Sequence, residues 1–317
     1  MTQRRNHRRS LASARTRGVA LLIAVLIVAL LASVSTWLAW REVLAIRRTE
    51  DLVASDRAFA LALGGEAVAA QGLADTLRNA NQVDLAQPWA KPQQQVLGDG
   101  AIVAGVITDL QARFNLNDLA PGAPTQSIAR WRFQRLLTGA GASPDAVAAL
   151  VDWMNPVPVA SAAGGAGDDY YLGLEPPYRT AAQPFVSASS LRLVRGFGAA
   201  LVARLAPEIT ALPQETTINV NTATAPVLEA AGFNPQQAQA ILVQRARAPF
   251  ASVAQLQAAV PSGVAGIDVA GLGVGSQFFL SQIEVRVGRV RSRLASVLEL
   301  TGNGRVQVYV RARNATP

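Results

Sequence analysis

From Val19 to Trp40 the chain places no charged residue. As a helix rising about 1.5 Å per residue, this run covers about 33 Å, enough to cross a hydrocarbon core. Apolar positions then recur at three- and four-residue spacing through Val43, Leu44, Ile46, Leu52, Val53, Phe59, Leu63, Val68, Leu73 and Leu77. That spacing predicts an amphipathic helix running on from the apolar one, with Gly64-Gly65 as a local weakening. Asn79 to Pro92 is polar and proline-bearing, hence loop. VLGDGAIVAGVITDL predicts strand, turn and strand. QSIARWRFQRLLTGAG predicts a helix with Trp131, Leu136 and Leu137 inward, and SPDAVAALVDWMN a second one, with Ser143 as N-cap and Pro144 in its first position. PVPVASAAGGAGDDYYLGLEPPY is loop-like, and SASSLRLVRGFGAALVARLAPEI returns to helix. Helices over 224–231 and 235–246 flank a Gly232-Phe233-Asn234 turn, and Ser252 caps a third. The end alternates, with Ile283, Val285 and Val287 set against Glu284 and Arg286. RSRLASVLEL and RVQVYVRAR follow, joined at Thr301-Gly302-Asn303-Gly304, which predicts three antiparallel strands.

Charge changes the picture at one end. The formal net charge is +8, from 29 basic and 21 acidic residues. Six arginines (Arg4, Arg5, Arg8, Arg9, Arg15, Arg17) precede the apolar run, and no acid does. Setting those six aside leaves +2 for the rest, so the body lacks the basic excess of a nucleic-acid binder. There is no cysteine, which excludes disulfides and thiolate metal sites. The one histidine, His7, sits in the basic tail, which excludes a histidine-based triad or metal site in the body. No nucleophile-elbow or phosphate-loop pattern occurs.

The apolar run is longer than a secretory h-region and ends in no small-x-small site. Trp37 and Trp40 suit the far interface. The arginines keep the N-terminus in the cytoplasm by the positive-inside rule, with the body on the opposite side. A plain signal anchor meets these facts. Arg17-Gly18-Val19 adds a second reading: a basic leader, a glycine and an uncharged helix resemble a type IV prepilin leader. By that resemblance a dedicated peptidase cuts between Gly18 and Val19. Most such subunits carry a glutamate at the fifth mature position, where Ile23 stands here.

The order of segments carries a wider resemblance. Leader and anchor are followed by DLQARFNLNDL (109–119), VDWMN (151–155), DDYYLGLEPPYRTAAQPF (168–185), INVNTATAPVL (218–228) and QFFLSQIEVRVG (277–288). Together they resemble the K-type minor pseudopilins of type II secretion systems. The resemblance implies an α+β, type IV pilin-like fold: a long N-terminal helix packed on an antiparallel sheet, with a large inserted α-helical domain. It divides the chain into a prepilin leader (1–18), a transmembrane helix (19–40), the periplasmic part of the helix (41–80) and a pilin-like β portion (94–120). The inserted helical domain (121–215), a helix-hairpin-helix or SAM-like module (216–262) and the C-terminal sheet (274–317) follow. The implied role is non-enzymatic: a subunit of the inner membrane, drawn into the tip of a periplasmic pseudopilus for export of folded proteins. The implied partners are the minor pseudopilins I and J, with H, the major pseudopilin G, the prepilin peptidase and the inner-membrane assembly platform. In pilins the early glutamate meets the N-terminal amine of a neighbouring subunit. Ile23 suits a first subunit, because an unpaired carboxylate in a bilayer is costly.

The resemblance also implies calcium in the inserted domain, with Asp152, Asp168 and Asp169 as carboxylates and Asn155 as a neutral oxygen donor; an Asp-capped loop is the competing reading. The Gly232 turn, with Arg245 and Arg247 behind it, permits phosphate contact or a plain packed module. The DNA reading would make the chain a minor pilin of a type IV pilus or DNA-uptake system, or a signal-anchored periplasmic DNA-binding protein. Arg286, Arg289, Arg291, Arg293, Arg305, Arg311 and Arg313 make the last sheet basic, as a solvated face or a surface for an acidic partner.

Overall fold

The computed structural model describes residues 7–260 and 267–315, with side chains from residue 19 onward. The leader's first six residues, 261–262 of the helical module and 316–317 of the last sheet lie outside them. The chain forms two compact units, 1–57 and 58–317.

The described part of the first unit is helix throughout, the N-terminal portion of α1 (His7–Leu77). Its apolar residues are exposed, Val19, Leu22, Leu26 and Leu30 each by more than half. Among the described residues α1 is the one helix long and apolar enough to cross a membrane. Two of its hydroxyls are satisfied internally: Ser33 donates to the Ala29 carbonyl and Thr36 to that of Ala32.

The second unit begins where α1 meets a five-stranded antiparallel sheet of order β1-β2-β7-β8-β9. Its strands are β1 (Gln93–Val96), β2 (Ile102–Asp109), β7 (Phe278–Val287), β8 (Val290–Leu300) and β9 (Val306–Arg313). Ala58 and Ala62 are buried against Ile283, Val285 and Leu294. Leu73 and Leu77 pack with Trp89, Phe279 and Leu298. The helix does not weaken at Gly64-Gly65. At Gly65 it approaches the sheet closely: a Cβ there would stand 3.0 Å from Ile283 Cγ2. On β7 the residues alternate, Phe279, Ile283 and Val285 toward α1 and Phe278 and Leu280 toward a second cluster with Leu110, Leu212 and Val297.

Everything between β2 and β7 is insertion, yet these two strands pair directly, Asp109 opposite Phe279. The inserted helices are α2 (Gln126–Gly139), α3 (Ala146–Met154), α4 (Asp168–Leu172), α5 (Ala199–Leu205), α6 (Ala225–Ala230), α7 (Pro235–Arg247) and α8 (Val253–Ala259). Two short parallel pairs tie the loops: β3 (Phe114–Asn115) with β4 (Ile209–Thr210), and β5 (Ile218–Asn219) with β6 (Leu272–Gly273). Phe114, Phe133, Trp153, Tyr171, Phe197, Phe233 and Phe250 belong to one core, so the helical segments before and after residue 216 are packed as one body.

Several local expectations differ. The β portion expected to reach residue 120 leaves the large sheet at Asp109; Phe114 and Asn115 pair inside the insertion instead. α3 starts at Ala146 rather than after Ser143, whose hydroxyl accepts from the Asp145 amide before the helix. Trp131 is 43% exposed, not inward: its ring lies under Arg135 and against Gly232.

Candidate functional site

Two polar constructions hold the unit that begins at Ala58 together. The first clamps α1 to the sheet. Glu66, 3% exposed, receives Arg311 of β9 in a two-pronged pair, Nη2 to Oε1 at 2.7 Å and Nε to Oε2 at 2.9 Å. The Ser296 hydroxyl of β8 donates to the same carboxylate. Burial alone would raise the Glu66 pKa. The bonds from Arg311 and Ser296, with the charge of Arg311, hold it below the usual range. About two turns earlier on α1, Arg313 lies over the Phe59 ring at 4.5 Å.

The second joins the sheet to the insertion. Asp109 ends β2 and is buried. Its Oδ2 accepts from Asn219 Nδ2 at 3.0 Å, Thr222 Oγ1 at 2.6 Å and Ser276 Oγ at 2.6 Å; its Oδ1 accepts from the Gln111 amide at 2.8 Å. Burial raises its pKa, against these four bonds. Asn219 also donates to the Val83 carbonyl. The asparagines of FNLNDL and INVNTATAP work in the same way. Asn117 exchanges bonds with the Phe185 backbone and donates to the Leu212 carbonyl. Asn221 exchanges bonds with the Phe250 backbone. These side chains stand in for a missing ladder, satisfying loop backbone that no regular strand covers. Sequence reasoning singles out both motifs by resemblance and misses this role. The signal is there as asparagines alternating with apolar residues, FNLN and INVN.

The residues singled out from sequence are placed as follows. Gly18 is described by its backbone alone, within α1. Val19 and Ile23 follow on that helix, 57% and 53% exposed. Asp152 is fully buried at the end of α3; its Oδ2 accepts from the amides of Ser161 and Ala166, closing the loop between them. A Cβ on Gly165 would overlap that oxygen. Asn155 Oδ1 accepts from the Val157 amide. Asp168 Oδ1 accepts from both the amide and the hydroxyl of Thr180, and its Oδ2 pairs with Arg179 at 3.3 Å. The Thr180 amide bond, with the Thr180 hydroxyl and Arg179, holds the Asp168 pKa below the usual range. Asp169 is exposed.

Calcium requires six to eight oxygens, several from carboxylates. Among the described residues no group of three or more Asp, Glu or His side chains is placed to hold one ion. Asp168 already meets a guanidinium, Asn155 caps a turn, and one oxygen of Asp152 holds two amides; its Oδ1 is a buried atom left without a partner. The four residues as placed fit a stapled loop and not a calcium shell. Calorimetry with calcium is expected to show no saturable heat, and Asp168→Ala to lower the melting temperature through lost Thr180 bonds. A saturable heat that Asp168→Ala abolishes would reverse this assignment.

The helical hairpin has little to offer a phosphate. In its turn Gly232 N donates to the Glu229 carbonyl, Phe233 N to that of Leu228 and Asn234 N to Gln237 Oε1. Arg245 spends its Nη1 on the carbonyls of Val220 and Ala223, and burial lowers its pKa to about 10. The hairpin is a packed module held by a capping box at Asn234.

The basic sheet is partly neutralised. Glu284 pairs with Arg293 at 2.9 Å and Arg291 at 3.1 Å, and the hydrogen bond from Arg293 leads in holding its pKa low. Arg311 belongs to the clamp.

Known proteins share this architecture. Two family models described as type II secretion system, protein K, match residues 112–214 and 218–274. A type II secretion system protein K of Pectobacterium carotovorum subsp. carotovorum is 34% identical, covering 94% of this chain and 96% of its own length. One of Pseudomonas aeruginosa is 33% identical, covering 93% and 92%. A solved GspK–GspI–GspJ complex from the type 2 secretion system of enterotoxigenic Escherichia coli aligns with a TM-score of 0.76 at 26% identity. It covers 85% of this chain and all of that one.

Proposed function

Because this chain belongs to the type II secretion system protein K family and is a minor pseudopilin, we propose that it occupies the tip of the pseudopilus, where it starts or caps assembly. The observation that carries this reading is Ile23. If the chain is cut after Gly18, this apolar side chain takes the fifth position, where filament subunits of the resembling family carry a glutamate. A subunit with nothing above it has no amine for such a carboxylate to meet, and an unpaired charge in hydrocarbon costs about 3 kcal/mol. The insertion between β2 and β7 supports the same reading, because it enlarges the head beyond a plain pilin sheet.

In this account α1 holds the protein in the inner membrane with its N-terminus cytoplasmic and its head periplasmic. The assembly platform draws it out as its apolar residues exchange lipid for the helices of neighbours. Pseudopilins I and J are its partners, as GspI and GspJ are in the complex of the Escherichia coli relative, with H and the major pseudopilin below them. The Glu66–Arg311 clamp ties the head to the helix by which it is drawn.

Processing is tested by intact mass spectrometry of protein purified from its native membrane. Wild type is expected to begin at Val19, and Gly18→Ala to retain the leader. A wild-type chain that still carries the leader would mark a plain signal anchor.

A further inference from the structure

A groove of about 530 Å³ lies between the insertion and the sheet face that looks away from α1. Its floor is apolar, with Leu280 and Val297 from the sheet and Val202 and Ile209 from the insertion. Its rim carries large apolar side chains in water: Val186 is 83% exposed, Tyr309 55% and Val310 36%. Two arginines, Arg113 and Arg192, line it, and no acidic residue does. Arg192 donates from Nε to the Ser189 carbonyl. Arg113 is half-buried, and among the described residues its guanidinium has no hydrogen bond or ion pair. Glu208 and Asp109 act on it only through their fields, and both carboxylates are bonded elsewhere, to Thr224 and to the Asp109 network. A half-buried guanidinium with no protein acceptor is an unfilled half of a charge-assisted bond. Tyr309 and Val310 belong to β9, the last strand of the sheet, whose outer edge pairs with no other strand among the described residues. An open edge beside an apolar groove is the geometry in which an extended chain adds as a strand, presenting alternate side chains to the groove.

We propose that this groove docks an extended segment of a partner protein in which acidic and apolar side chains alternate. Its backbone runs along β9, its apolar side chains cover Val310 and reach over Val297, and its carboxylate meets Arg113 and Arg192. The occupant is a peptide strand rather than a free anion, because the arginines stand at the border of an apolar floor that an anion would leave uncovered.

The test uses the full chain in detergent micelles and two short fluorescent peptides, one alternating valine with glutamate, the other valine with lysine. Fluorescence anisotropy at low salt is expected to show binding of the glutamate peptide that weakens as salt rises. Loss of one charge-assisted bond weakens binding about tenfold, so Arg113→Gln is expected to cost that much. Ala203→Trp, which fills the groove and leaves both arginines in the sequence, is expected to abolish binding. Both variants are checked by thermal melt, so that loss of fold is not read as loss of binding. Equal binding of the lysine peptide, no binding of the glutamate peptide at millimolar concentration, or wild-type binding by both variants would overturn the proposal. So would displacement of the peptide by inorganic phosphate at its own concentration, which would mean a free-anion site.

Discussion

Replacing Arg311 by methionine is expected to destabilise the head by about 3 kcal/mol at neutral pH, whereas Glu66→Gln costs only about 1–2 kcal/mol. The asymmetry follows from exposure. The Glu66 side chain is 4% exposed and that of Arg311 50%. Without Arg311, a carboxylate is left in the helix–sheet interface with the Ser296 hydroxyl alone. Without the Glu66 charge, Arg311 can swing to water. The half-exposed arginine keeps the loss at the lower end of the range for a broken buried pair. Acid should behave differently in the two proteins. In the wild type the Glu66 pKa is depressed, so its contribution is complete above the unfolded value of about 4.3 and fades as pH falls through the folded one. In Arg311→Met the lone buried carboxylate has a raised pKa and takes a proton on mild acidification, so the gap between the two proteins narrows as pH falls. Denaturant titrations of both at neutral and mildly acidic pH read this directly. Equal costs for the two substitutions, or a gap that widens in acid, would contradict the clamp as described.

Asp109→Ala is expected to cost about 4 kcal/mol. It removes the common acceptor of Asn219, Thr222, Ser276 and the Gln111 amide from a fully buried place. Each stranded donor costs about 1–3 kcal/mol, and some will find partial substitutes. Asp109→Asn keeps one oxygen and sheds a desolvated charge, so it should cost about half as much. The loss should also be local. Hydrogen exchange is expected to quicken first at 218–222 and 274–278, where the insertion rejoins the sheet, before α2 opens. A uniform change across the head, or none, would mean that the apolar core alone holds the junction.

Much of the fold was legible because it rests on periodicity. The long run through Leu77 and the alternation over 278–313 are local patterns with one structural solution each. α7 was legible as a helix after the Gly232-Phe233-Asn234 turn, and the structure starts it at Pro235 with a capping box between Asn234 and Gln237. What was not legible depends on partners far along the chain. Glu66 reads as an ordinary charge on a helix until Arg311, across the fold, is beside it. Asp109 reads as the end of a strand until Asn219 and Ser276 close on it. The FNLN and INVN asparagines served to recognise the family, while their work, holding irregular backbone, needed the loops in place. The acidic residues of the calcium expectation are held apart for a related reason. Asp152 and Asp168 each close a separate loop, one through Ala166 and the other through Thr180. Ser143 misled through its neighbours: the Ser-Pro pair forms a turn ahead of α3 and leaves the cap position to Asp145.

The position of this subunit in the filament can be read by labelling. Pseudopili are assembled with an epitope on the exposed loop around Ser161, and gold particles are counted along each filament by electron microscopy. One labelled end per filament and bare sides are expected. Label spread along the sides would make this chain an ordinary filament subunit and would contradict a place at the tip.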